Sequence, residues 1–183
     1  MDIQDVALKF DQFLHDNDSS FHAVVIGGAA LSLLKVISRV TNDIDVLEPK
    51  TLPKKVDQLA KEFAISHHLP PNWLNCGPAD VMDYLPKGWQ SRTQKIFDGK
   101  NLKLKTLGRQ ELLMTKCWAY CDRERDLDDI IALRPSKDEL IKIREWLKPL
   151  DANPQWPEYV DKIVAKLEKE VDLEKNLGLG LGM

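Results

Sequence analysis

The sequence predicts an α/β (α+β) fold, a small mixed sheet with flanking helices, followed by C-terminal helices. Three observations predict it. A short β-branched run, Phe21 to Ile26, ends in Gly27-Gly28 and gives way to helix-forming residues. A second run, Thr41 to Leu47, alternates polar and apolar side chains as a half-buried strand does. Segments on both sides of these carry apolar residues at helical spacing.

At the N-terminal end, Val6, Phe10, Phe13 and Leu14 form the stripe of an opening helix, which Asp16-Asn17-Asp18-Ser19-Ser20 breaks with turn chemistry. Strand Phe21–Ile26, the glycine pair and a helix over Ala29–Val36 come next, then the strand over Thr41–Leu47. Pro53 suits an early helical position, and Val56, Leu59, Ala60 and Phe63 are the buried face of the helix it starts. His67-His68-Leu69-Pro70-Pro71 closes that helix, and residues 72–92 read as an ordered loop with one short helix. Gln94–Phe97 and Leu102–Leu107 read as a hairpin around Asp98-Gly99, a pair suited to positive φ.

Glu111 to Cys121 is apolar almost all round, as in a central helix, with Lys116 its anomaly. A helix over Asp126–Leu133 stops before Arg134-Pro135, and Ser136 caps Lys137–Leu147. Beyond the Pro149–Pro157 stretch, Tyr159, Val160, Ile163, Leu167 and Val171 mark a final amphipathic helix. The expected organisation is a domain over residues 1–135, a helical extension over 136–176 packed on it, and a flexible tail over 177–183.

Composition narrows the function classes. The chain has 183 residues, 43% of them hydrophobic, and a net charge of −3, which suits a packed core and not a disordered or collagen-like chain. The longest near-apolar run, Ala23 to Leu34, contains two glycines and falls short of the ~20 residues a spanning helix needs. The Met1-Asp2-Ile3-Gln4-Asp5 start lacks the basic and apolar parts of a secretory signal, so a cytoplasmic location and no membrane partner are expected. The three cysteines predict a thiol-lined core and no disulfide framework, Cys117 and Cys121 being one helical turn apart and Cys76 remote. Charge is uneven: −5 over residues 1–85, +6 over 86–116 and −4 over 117–183. This excludes a global duplex-DNA footprint and leaves one basic segment that either faces phosphates or is a solvated hairpin.

The chemistry is concentrated in two stretches, Ile26-Gly27-Gly28-Ala29-Ala30 and Arg39-Val40-Thr41-Asn42-Asp43-Ile44-Asp45-Val46. Aspartates at i and i+2 of a strand point to one side, and like charges at close range call for a divalent cation, Mg²⁺ or Mn²⁺, as in in-line phosphoryl transfer. Glycines at a strand-to-helix turn let backbone approach phosphate oxygens. Arg39 and Thr41 share the carboxylate face if the strand begins early, where a guanidinium steadies an aspartate or binds phosphate. An ammonium on an apolar helix must meet an anion or snorkel outward: for Lys116 the candidates are phosphate, the Asp43/Asp45 pair, or Asp126 and Asp129. The sequence favours a site role. No four-ligand zinc spacing and no nucleophile elbow is present. Trp73, Tyr84 and Trp89 either stack bases or pin their loop to the core.

A glycine pair after a first strand, a helix, then Asp-x-Asp on the next strand resembles the nucleotidyltransferase superfamily of the DNA polymerase beta type. Within it, Gly27-Gly28-Ala29-Ala30-Leu31 with Arg39, Thr41, Asp43 and Asp45 is similar to the AbiEii-like toxins and their small bacterial relatives. Lys116, Ala119, Arg123, Asp126 and Asp129 match those relatives' later positions, Trp73-Leu74-Asn75 resembles their tryptophan-centred loop, and the likeness covers roughly residues 20–135. The resemblance implies transfer of a nucleoside monophosphate from a nucleoside triphosphate to a hydroxyl on RNA or protein. Asp43 and Asp45 would be catalytic metal ligands; Gly27, Gly28, Arg39, Thr41, Lys116 and Arg123 would bind nucleotide, Lys116 also acting in catalysis; Asp126 and Asp129 would support them. The third carboxylate of active members has no plain counterpart, since Lys103 and Lys105 stand on the expected strand and only Asp80, Asp83, Asp98 and Glu111 are at hand. The rival expectation is therefore a degenerate module that binds nucleotide or a protein partner, such as an antitoxin, in a toxin–antitoxin or phage-defence pair.

Overall fold

Alternation along β1 (Phe21–Ile26) sends Phe21, Ala23 and Val25 into a hydrophobic core and leaves His22 exposed on the other face. The computed structural model describes residues 2–180. Two compact units make up the chain, Met1–Gly108 and Arg109–Met183.

The first unit is a five-stranded mixed sheet of order β3-β2-β1-β5-β4, with β2 (Ile44–Glu48), β3 (Leu74–Asn75), β4 (Gln94–Asp98) and β5 (Leu102–Thr106). Strand β1 pairs antiparallel with β2 and parallel with β5, while β2–β3 is parallel and β4–β5 antiparallel. The core on one side of this sheet draws on α1 (Ile3–Asp16), α2 (Gly27–Leu33) and α3 (Lys54–Ser66). Its centre is aromatic: Phe10 lies 5.0 Å from both Phe63 and Trp73, edge-on to the indole. Asp2 caps α1 by accepting from the Gln4 and Asp5 amides.

Three local expectations change. Strand β2 begins at Ile44, not Thr41, because the Thr41 hydroxyl turns back toward the Asp43 carbonyl at 3.4 Å and bends the chain. Helix α2 takes in Gly27 and Gly28 and stops at Leu33. The loop over 72–92 contributes β3 and two 3-10 helices, Ala79–Tyr84 and Trp89–Arg92, with Trp73 and Trp89 buried as anchors.

The hairpin forms where expected, but Gly99 does not have positive φ. Its role is proximity. The Asp11 carboxylate accepts from the Lys100, Asn101 and Leu102 amides at 3.2, 2.8 and 2.6 Å, and a Cβ on Gly99 would collide with it.

The second unit holds α4 (Arg109–Arg123), α5 (Leu127–Ala132), α6 (Lys137–Leu147) and α7 (Trp156–Gly180). Helix α4 begins this unit and packs with α5 and α6. Ser136 forms a full capping box with Glu139 at the start of α6. Helix α7 is tied to α4 by the Tyr159 hydroxyl, which donates to the Cys121 carbonyl at 2.9 Å. Of the expected tail over 177–183, residues through Gly180 belong to α7, and 181–183 lie outside the described residues. Among the described residues no helix is long and apolar enough to cross a membrane.

Candidate active site

The β1–α2 junction is a sharp bend. Ile26 is still extended, and the next residue, Gly27, has φ +76°, a conformation L side chains rarely adopt. Ile26 stands opposite Asp45 on β2, which brings that carboxylate to the bend. A Cβ on Gly27 would lie 2.6 Å from Asp45 Oδ2. A Cβ on Gly28 would lie 3.1 Å from Thr41 Oγ1 and 3.3 Å from an Arg39 guanidinium nitrogen. The glycines thus do more than turn the chain: their missing side chains make room for an aspartate, a threonine and an arginine.

Asp43 stands just before β2, with Asp45 two residues on; both are half-buried. Thr41, only 6% exposed, directs its hydroxyl at the Asp43 main chain and lies 3.5 Å from Asp43 Oδ1. Gly27, Gly28, Arg39, Thr41, Asp43 and Asp45 thereby converge at one end of the β1–β2 pair. Asn75 joins them from β3: its Nδ2 donates to Asp45 Oδ1 at 3.1 Å. Its position in the Trp73-Leu74-Asn75 loop was a signal for it, but without the two-residue strand nothing in the sequence points its amide at Asp45.

Lys116, Arg123, Asp126 and Asp129 form a cluster within the helical unit. The Lys116 ammonium, 5% exposed, donates to Asp126 Oδ1 at 2.8 Å and to Asp129 Oδ2 at 2.6 Å. Arg123 adds a bond to Asp126 Oδ2 at 3.1 Å. The sequence favours phosphate or the Asp43/Asp45 pair as the anion for Lys116, whereas the structure supplies two buried carboxylates. This pairing is the alternative the sequence also offers, and it depends on α5 folding back beside α4.

The substitutes for a third acid are engaged elsewhere. Asp98 sits between Lys95 and Lys103 at 2.7 and 2.8 Å, and the hydrogen bonds that Lys103 and Lys95 donate hold its carboxyl down at about 2. Asp83 and Asp80 face Lys50 beyond the far end of β2. Glu111 is buried in α4. Four of the basic segment's eight cations are engaged in the same way: Lys95 and Lys103 by Asp98, Arg109 by Glu139, Lys116 by its aspartates. Lys105 remains exposed on β5.

The donor set has consequences for metal. Two carboxylates suit Mg²⁺ or Mn²⁺, hard ions that keep several waters and complete their shell with substrate phosphates. Among the described residues no group of three or more His, Cys, Asp or Glu could cage an ion, so a zinc-type closed site does not fit. The thiols are no alternative. Cys117 and Cys121 are buried, and burial, which raises both thiols, pushes Cys121 up to about 12.

A family model described as a nucleotidyltransferase of unknown function (DUF6036) matches residues 2–153. The chain belongs to this family. The matched region takes in the whole sheet unit and continues through α6, so in this nucleotidyltransferase family both the glycine–aspartate end of the sheet and the Lys116 cluster lie within the shared sequence. No curated protein and no solved structure matches significantly.

Proposed function

We propose that this member of the nucleotidyltransferase family moves a nucleoside monophosphate from a nucleoside triphosphate to a hydroxyl acceptor, at the end of the β1–β2 pair. The observation that carries the reading is the packing of Gly27 and Gly28 directly against Asp45, Thr41 and Arg39. Asp43 and Asp45 hold the divalent cation. A bound Mg²⁺ or Mn²⁺ would supply charge neutralisation and orientation of the triphosphate oxygens. Gly27 and Gly28 seat the triphosphate at the bend they share with Asp45, Thr41 and Arg39, and Arg39 offers a guanidinium to its oxygens. Thr41 braces the Asp43 segment. Lys116, Arg123, Asp126 and Asp129 act within the helical unit as a neutralised, bracing charge cluster. The toxin-like resemblance supports an RNA end or a protein hydroxyl as acceptor.

A second reading is favoured by one observation, the two-carboxylate donor set: a degenerate site that binds nucleotide or a partner, such as an antitoxin, without transfer. One experiment separates the two. The chain is incubated with labelled nucleoside triphosphates and total RNA or lysate, with Mg²⁺ or Mn²⁺. Transfer that disappears in Asp43→Asn and Asp45→Asn supports the enzyme. Cation-dependent thermal stabilisation by nucleotide without transfer supports the binding module. Transfer unaffected by both substitutions overturns the proposed site.

A further inference from the structure

Asn75 uses every hydrogen-bonding group of its side chain. Nδ2 donates to Asp45 Oδ1 at 3.1 Å and to the Asn72 carbonyl at 3.4 Å, while Oδ1 accepts the Gly77 amide at 2.8 Å. The Gly77 contact decides which way the amide faces. A backbone N–H can meet only the oxygen, so the NH₂ group is turned to Asp45. Gly77 also has to be small, because a Cβ there would lie 2.9 Å from Asn75 Oδ1.

The segment bearing Asn75 is anchored independently. Trp73, two residues earlier, is 1% exposed, and its indole N–H donates to the Ala60 carbonyl in α3 at 2.9 Å. The Ile44 amide donates to the Trp73 carbonyl, and Asp45 pairs in register with Asn75. A rigid chain of contacts therefore runs from the aromatic core through β3 to one oxygen of Asp45. The terminal torsion of an aspartate is broad, so its two oxygens exchange places easily unless a donor holds one of them.

We propose that Asn75 is a positioning residue of the transfer site: its amide, oriented by Gly77, keeps Asp45 Oδ1 on the β3 side and presents Oδ2 beside the Gly27 bend. The proposal rests on the reading that Asp45 binds a metal–nucleotide complex. Partners that orient a metal-binding side chain typically contribute about 10–100-fold in metal affinity.

The test measures Mn²⁺ binding to the full chain by electron paramagnetic resonance, alone and with non-hydrolysable analogues of the four nucleoside triphosphates, alongside melting temperature. Asn75→Ala is expected to weaken Mn²⁺–nucleotide binding by about 10–100-fold while melting within about 4 °C of wild type. Asn75→Asp keeps the acceptor for Gly77 but replaces the donor by an anionic oxygen. It should bind Mn²⁺ alone at least as tightly as wild type and lose the tightening by nucleotide. Unchanged Mn²⁺–nucleotide affinity in both Asn75 variants, with Asp45→Asn abolishing binding, overturns the positioning role. Unchanged affinity in Asp45→Asn overturns the site reading itself, which keeps the two failures distinct.

Discussion

Gly27 and Asp45 touch across the β1–β2 pair, the Asp45 Oδ2 atom occupying the space that a Cβ on residue 27 would need. Backbone and carboxylate are thereby coupled: the bend exists in the form that this oxygen requires. Gly27→Ala is expected to destabilise the fold by about 1–3 kcal/mol through its positive φ and to displace Asp45. Chemical denaturation reads the first effect, and loss of cation-dependent nucleotide stabilisation the second. An alanine variant that keeps wild-type nucleotide stabilisation would refute the coupling.

Asp43→Asn and Asp45→Asn should separate function from folding. Both side chains are half-buried, and an asparagine keeps the size and one accepting oxygen of either aspartate. Stability is expected to change by less than about 1 kcal/mol. Nucleotide with Mg²⁺ at 100 times its dissociation constant should stabilise the wild type by about 2.7 kcal/mol, and neither variant. Thermal unfolding with and without the cation measures both quantities.

The Lys116 cluster predicts a large cost for one deletion and a rescue by the right second change. Lys116→Met removes the ammonium that Asp126 and Asp129 share in a buried site and should cost about 3–5 kcal/mol. Adding Asp129→Asn to Lys116→Met removes one of the two buried negative charges and should recover part of that loss. A double-mutant cycle in urea checks the coupling, which for contacting charges is about 0.5–3 kcal/mol. Additive losses would show that the pair is not energetically linked.

Asp11 predicts a pH signature at the β4–β5 hairpin. Burial pushes its carboxyl up, but the Leu102, Asn101 and Lys100 amides outweigh that and hold it below 3.8. A carboxylate with a depressed folded value contributes stability that is complete above its unfolded value and lost as pH falls through the folded one. Asp11→Asn should therefore lower stability by about 2 kcal/mol at neutral pH, with the gap to wild type closing only below pH 3.8. Urea unfolding across pH 2–7, a range chosen to span about both ends of that titration, reads the gap. A gap that stays constant to the lowest pH would exclude the Asp11 contacts as its cause.

Much of this molecule could be read from local pattern. The β-branched run of β1, the glycine pair after it, the stripes of α1 and α3 and the Ser136 cap of α6 are short-range features whose causes lie within a few residues. Gly27, Gly28, Arg39, Thr41, Asp43 and Asp45 were likewise visible as residue types whose order resembles a nucleotidyltransferase motif. Tertiary structure decided the partners. A two-residue strand such as β3 has no period to detect, so Asn75 meets Asp45 only because Trp73 is pinned to α3. The need for glycine at position 99 is set by Asp11, far away in α1, and not by the turn itself. For Lys116 the sequence established that its ammonium had to meet an anion or reach solvent, because a buried ammonium cannot stand alone. Only the return of α5 beside α4 chose Asp126 and Asp129 to provide it.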